Sequence, residues 1–155
     1  MTLVGSQFPA FSLQDDQGNL ATEKTFHGHW TILYAYPKDS TPGCTTEACD
    51  FRDNWARVQS LGAQVYGISR DALKSHQNFI TKQELPFRLL SDPELELLKP
   101  LGAFGKKVMY GKEMEGIIRS TFLIDPQGVI RHVWPKVSVK GHVQDVLETL
   151  TRLKS

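Results

Sequence analysis

The 155 residues carry 18 Lys and Arg against 17 Asp and Glu, a formal charge of +1, with 40% hydrophobic and 23% charged residues. Those are ordinary globular proportions, and the length buries a core without staples, so one domain over residues 1–155 is expected. No basic stripe or charged tail argues for nucleic acid, no apolar run approaches the roughly 18 to 20 residues of a membrane span, and no leader peptide is visible; a cytoplasmic protein without nucleic-acid or membrane partners is expected.

Residues 11–21 (FSLQDDQGNLA) read as two short strands about an Asp15-Asp16-Gln17-Gly18-Asn19 turn. Residues 31–36 (TILYAY) form a short apolar run ended by Pro37, a buried strand. A helix is predicted over residues 42–59, because Cys44, Ala48, Phe51, Trp55 and Val58 recur at spacings of four, three, four and three and so share a face. Glu47, Asp50, Asn54 and Arg57 fall elsewhere. A strand at 64–69, a helix at 72–84 and a short strand at 87–90 follow. Helical turns near 94–99 lead into a segment rich in Gly and Lys, read as irregular, whose residues 104–110 could line an entrance. Residues 117–124 and 129–134, joined by Asp125-Pro126-Gln127-Gly128, read as a hairpin. The last element is an amphipathic helix with Val143, Val146, Leu147, Leu150 and Leu153 on one stripe. This order is α/β, with a mixed sheet that has a parallel βαβ unit first and an antiparallel pair later. Trp30, Trp55 and Trp134 read as core or pocket-wall aromatics.

Structural disulfides are rare inside the cell, so the two cysteines are inert, metal-binding or redox-active. Thr41 suits an N-cap and Pro42 the first helical position, which puts Cys44 at about the third. Unsatisfied amides and the positive end of the helix dipole favour an anion there, and the thiolate is the nucleophilic form of sulfur. Cys49 lies five residues on. In an intact helix the two Cα atoms are roughly 8 to 9 Å apart, whereas a disulfide needs less than about 7 Å. Either the two never pair, or pairing unravels the first turns.

Arg119, set in a β-branched apolar run, must be paired if buried, or else reach to water. Glu47 either braces an arginine or is a solvated carboxylate, and no catalytic role is assigned to it. His27, His29, His76, His132 and His142 are scattered, with neither Cys-x2-Cys nor His-x3-His spacing, so no metal is expected; His132 alone invites consideration. No phosphate loop or dinucleotide fingerprint appears, and no cofactor is expected.

The segment YPKDSTPGCTTEACDFRD (residues 36–53) closely resembles the active-site signature of the peroxiredoxins, in their bacterioferritin-comigratory or Q-type group. The pattern Pro-x-x-x-Thr/Ser-x-x-Cys is met by Pro37, Thr41 and Cys44, and the group's frequent second cysteine by Cys49. GSQFPAFSL (5–13), LSD (90–92) and GIIRSTFLIDPQG (116–128) extend the likeness over most of the chain. The resemblance implies a thioredoxin-like fold: a mixed central sheet flanked by helices, with an N-terminal β-hairpin extension. It further implies a thiol-dependent peroxidase acting on hydrogen peroxide and organic hydroperoxides. Cys44 would be the peroxidatic nucleophile and Cys49 the resolving cysteine. Thr41 would offer its hydroxyl to the peroxide, Pro37 would shape the pocket, and Arg119 would stabilise thiolate and developing charge. Electrons would come from thioredoxin or a similar thiol donor. The chain lacks the C-terminal cysteine and long tail that other peroxiredoxins use between subunits, so intrachain resolution in a monomer is expected.

Overall fold

The computed structural model describes residues 3–155. In chain order it contains β1 (Ser12–Asp15), β2 (Leu20–Thr22), a 3-10 turn (Glu23–Phe26), β3 (Trp30–Ala35), α1 (Pro42–Asp53), α2 (Trp55–Ser60) and β4 (Ala63–Ser69). There follow α3 (Leu73–Gln83), β5 (Arg88–Ser91), β6 (Phe104–Met109), β7 (Lys112–Ile117), β8 (Ser120–Ile124), β9 (Ile130–Trp134) and α4 (His142–Lys154). The main sheet runs β2-β1-β5-β4-β3-β8-β9, and β6 pairs with β7 separately. β3, β4 and β5 are mutually parallel, and the other pairings are antiparallel.

Side-chain alternation on β3 divides the core. Ile32, Tyr34 and, just beyond the strand, Tyr36 pack with Phe51 of α1, Val58 of α2, Phe79 of α3 and Val146 of α4. Leu33 and Ala35 face the opposite cluster, made by Phe8, Phe11, Phe26, Leu97, Leu98 and Leu101. The helices share a face because β3→β4 and β4→β5 step across the sheet in one direction, and right-handed crossovers then return to one side. The β1–β2 hairpin joins the sheet's edge at β5. Among the described residues, no helix is long and apolar enough to cross a membrane.

Three expectations are corrected and one is met. The helix predicted over 42–59 is two helices, broken at Asn54, whose side-chain amide donates to Asp50 O at 2.8 Å and so takes a carbonyl that a continuing helix would use. The apolar spacing runs through the break and is blind to it. The helical turns expected near 94–99 are present, with Lys99 N donating to Leu95 O at 3.4 Å, and the Asp92 carboxylate ties their start by accepting from the amides of Glu96, Leu97 and Leu98 at 2.7, 2.9 and 2.8 Å. The Gly- and Lys-rich segment is a regular hairpin, β6–β7, turned by Tyr110 (φ 52°) and Gly111 (φ 77°). Its mostly exposed residues gave no apolar alternation to read. Residues 117–124 are not one strand: Ile118 and Arg119 separate β7 from β8, and they bond to Ala103 O and Val137 N at 2.8 Å each.

His142, at the first position of α4, is buried with its Nε2 2.8 Å from Thr121 Oγ1. Burial, aided by Arg119 and opposed by Asp145, lowers its pKa from 6.5 to about 4. In that window the unfolded chain binds the extra proton, so this contribution to stability is full above about 6.5 and lost as pH falls toward about 4. Thermal melts should show Tm falling across that window in the wild type and a flatter profile in His142→Gln; equal slopes would remove the assignment.

Candidate active site

β3 stops at Ala35, and the chain passes Pro37 to enter α1 at the carboxyl end of the parallel strands, where α/β sheets place their sites. Pro42 is the first helical residue, its ring presetting φ, so Cys44 is the third, as expected. Thr41 holds the N-cap position with extended backbone (φ −82°, ψ 156°) but makes no side-chain cap. Its hydroxyl instead donates to Lys38 O at 2.8 Å, closing a tight turn. The amides of Gly43 and Cys44 at the helix start therefore have no side-chain acceptor from Thr41.

The register Ala35↔Ser120 sets Arg119 beside the exit of β3, under the first turn of α1. Its Nη2 donates to Cys44 Sγ at 3.3 Å and its Nη1 to Glu47 Oε1 at 2.6 Å. A Cβ on Gly43 would lie 3.2 Å from Nη2, so glycine is what lets the guanidinium lie this close to the helix. Cys44 and Glu47 are buried. Burial pushes the Glu47 carboxyl from 4.5 up to about 7, although Arg119 pulls it down. For Arg119, burial acts downward, but Glu47 and Cys44 outweigh it and its pKa is raised. Tyr34 lies in the same neighbourhood, its phenol pushed up chiefly by burial and next by Glu47 and Cys44.

The AhpC/TSA family model matches residues 4–133. The chain is 48% identical over 147 residues to a putative peroxiredoxin bcp of Coxiella burnetii, covering 95% of this chain and 97% of that one. It is 44% identical over 147 residues to peroxiredoxin Bcp of Bacillus subtilis, covering 95% and 94%. The chain belongs to the AhpC/TSA family, as a peroxiredoxin of the bacterioferritin-comigratory, Q-type group. Solved structures agree. A Xanthomonas campestris bacterioferritin comigratory protein, studied for alkyl peroxide reduction, superposes with a TM-score of 0.90 at 41% identity over 100% of this chain and 98% of that one. A PrxQ of Xylella fastidiosa gives 0.92 at 34% identity over 100% and 99%. The fold of this peroxiredoxin is accordingly thioredoxin-like, as its motifs imply, and peroxiredoxins are thiol-dependent peroxidases.

In this peroxiredoxin Cys49 is half-buried on the same helix, its Sγ 3.5 Å from Gln83 Oε1 of α3. Burial raises the Cys49 thiol, with Arg52 opposing. Arg52 itself donates to Gln83 O at 2.7 Å. Both cysteines are free, and α1 is continuous through them. Pro37 and Arg119 line a groove of about 600 Å³ that they share with Lys106, Lys107 and Val108 of the β6–β7 hairpin and with Ile117, Ile118 and Val137. A second depression, of about 460 Å³, is lined by Leu3, Val4, Leu101, Phe122 and others with no titratable group among them. His132 is a half-exposed strand residue packed on Trp134, with ring centroids 4.2 Å apart.

Glu47, to which the sequence assigns no catalytic role, is the buried partner of Arg119. Helical spacing held the signal: three residues after Cys44 it sits one turn along the same side, and a buried arginine needs a carboxylate. Arg119→Lys keeps the charge but cannot span sulfur and carboxylate together. The peroxide step should fall roughly 10²-fold in rapid-mixing assays, with the circular dichroism spectrum unchanged. Glu47→Gln should remove a pH inflection near 7 in the same rate, which in the wild type rises as Glu47 ionises and fixes Arg119. Stability moves the other way: the folded carboxyl holds a proton that the unfolded one has released, so this contribution is lost as pH climbs from 4.5 to about 7.

Proposed function

We propose that this peroxiredoxin reduces hydrogen peroxide and organic hydroperoxides through Cys44 and resolves the oxidised sulfur with Cys49 of the same chain. The observation that carries the reading is the Arg119 guanidinium, 3.3 Å from a buried cysteine sulfur at a helix start without a side-chain cap. Donors gathered there stabilise both the thiolate and the charge that develops on a peroxide oxygen. The Cys44 thiolate attacks one peroxide oxygen. An S–O bond forms, the O–O bond breaks, and the leaving oxygen takes a proton to depart as water or alcohol. Cys44 is left as a sulfenic acid. Thr41 offers its hydroxyl to the peroxide, and Pro37 shapes the pocket wall. The apolar groove residues Val108, Ile117, Ile118 and Val137 support acceptance of an organic substituent.

Cys49 sulfur then attacks the sulfenic sulfur, forming S–S and releasing water. Two thiols of a donor, thioredoxin or a similar protein, exchange with that disulfide and restore both cysteines. Because both cysteines sit on α1, the cycle needs no second subunit, which supports a one-domain monomer. Helix geometry holds their Cα atoms roughly 8 to 9 Å apart, beyond the limit of about 7 Å for a disulfide. Resolution therefore unwinds α1.

Cys44→Ser should abolish peroxide consumption. Cys49→Ser should still react with a first equivalent at nearly the normal rate, lose thioredoxin-linked turnover, and accumulate sulfenic or sulfinic acid at Cys44, read by mass spectrometry. Oxidised wild type should lose amide protection over residues 42–53 and change its Trp55 fluorescence. Full thioredoxin-linked turnover in Cys49→Ser, or a Cys44–Cys49 bond with α1 intact, would sink the resolution step.

A further inference from the structure

Between Pro37 and Thr41 lies Asp39, a buried carboxylate that the chemistry at Cys44 leaves unused. Its Oδ1 accepts from Tyr36 Oη at 2.6 Å. Its Oδ2 accepts from Ser75 Oγ at 2.8 Å and faces His76 Nδ1 at 2.7 Å. His76, wholly buried on α3, has its other nitrogen 2.9 Å from Leu90 O. A carbonyl only accepts, so Nε2 carries a proton. A single proton bridges Nδ1 and Asp39 Oδ2, and with it every group in the cluster is hydrogen-bonded. The ligand atoms of Asp39, Asp71 and His76 lie within 4.8 Å of one another, as a metal would require. Both Asp39 oxygens and both His76 nitrogens, however, already face protein partners.

A buried polar cluster is a costly way to fill space, and this one is aimed at the site. The amide of Asp39 donates to Asp71 Oδ2 at 2.8 Å, and Asp71 is held in turn by Ser69 Oγ at 2.7 Å. That amide belongs to the same planar peptide as the Lys38 carbonyl, which takes the Thr41 hydroxyl at 2.8 Å. The next residue, Ser40, is a non-glycine at φ 64°, a conformation that persists only where its neighbours fix it. The orientation of one peptide thus decides where the Thr41 hydroxyl points, and that peptide is held by Asp71 on its amide and by the anchored Asp39 side chain beside it.

We propose that His76 is a positioning residue for the peroxide step, acting through Asp39 on the Lys38–Asp39 peptide and so on Thr41. The proposal rests on the peroxidase reading of Cys44. Two substitutions separate the arms of the ring. In His76→Asn the amide nitrogen stands in for Nδ1 and keeps the bond to Asp39. In His76→Gln it reaches the place of Nε2, keeping the bond to Leu90 O and leaving Asp39 without its partner. His76→Gln should slow the oxidation of Cys44 by peroxide about tenfold or more, while the rate constant with the thiol donor stays at the wild-type value. His76→Asn should restore the peroxide step to within a few-fold of wild type, although the melting temperatures of the two variants are similarly lowered. Should His76→Gln fail to fold, Tyr36→Phe removes the Oδ1 bond with the ring left in place and should slow the same step. Equal peroxide rates in the Asn and Gln variants, or an unaltered step in Tyr36→Phe, would overturn the proposal. A wild type inert to peroxide would overturn the peroxidase reading itself.

Discussion

The guanidinium of Arg119 touches a sulfur with one nitrogen and a buried carboxylate with another, and much of the molecule is arranged so that it can. β8 begins at Ser120, opposite Ala35 of β3, which brings the preceding residue to the edge where the chain turns into α1. The interruption between β7 and β8 frees Arg119 from the sheet's alternation, so its side chain reaches the helix layer. Gly43 leaves the space. Without the arginine, Glu47 would be a carboxylate with no cation in an apolar layer, among the costliest defects a core can hold. One contact therefore fastens α1 to the sheet and sets the charge environment of the Cys44 sulfur.

On the proposed cycle that fastening has to be reversible. Against unwinding stand the Arg119–Glu47 pair, the bond from Arg52 to Gln83 O, and the Cys49–Gln83 contact. In its favour stand several deficits. Tyr34 Oη and Glu47 Oε2 are buried without a hydrogen-bond partner among the described residues, each a penalty of about 1 to 3 kcal/mol. The absent Thr41 cap forgoes about 1 kcal/mol. The break at Asn54 then bounds the segment, so α1 can unravel while α2 stays on β4. A helix docked by charge over an incompletely satisfied interface is one that chemistry at the sulfur can release.

The sequence made the fold class, the β3–β4–β5 core and the final helix legible, because each has a clear apolar period and turn residues at its ends. Thr41, Pro42 and Cys44 were legible as a local helix-start pattern, and Pro37 as the end of a strand. Arg119 was legible as an arginine in an apolar run and Glu47 as a carboxylate one turn from Cys44, but spacing alone admits both bracing and solvation for Glu47. Cross-element contacts leave no trace in the order of residues. Asp39 and His76 stand 37 positions apart, and His76 looked like one more scattered histidine. The β6–β7 hairpin escaped for the opposite reason, since its exposed faces need no apolar alternation.

On the proposed cycle, the chemical step and the conformational step are coupled through charge. A thiolate at Cys44 receives a charge-assisted bond from Arg119 and the favourable field of the helix start. Such bonds are roughly twice as strong as neutral ones. Oxidation to sulfenic acid replaces the anion with a neutral group, so the first turn of α1 loses much of what holds it down at the moment Cys49 must approach. Glu47 remains on Arg119, but that pair fastens the helix one turn further along. The Asp39 cluster keeps the upstream loop tied to α3, so motion concentrates between Thr41 and Asn54. Reduction of the disulfide restores the anion, and with it the reason for α1 to rewind.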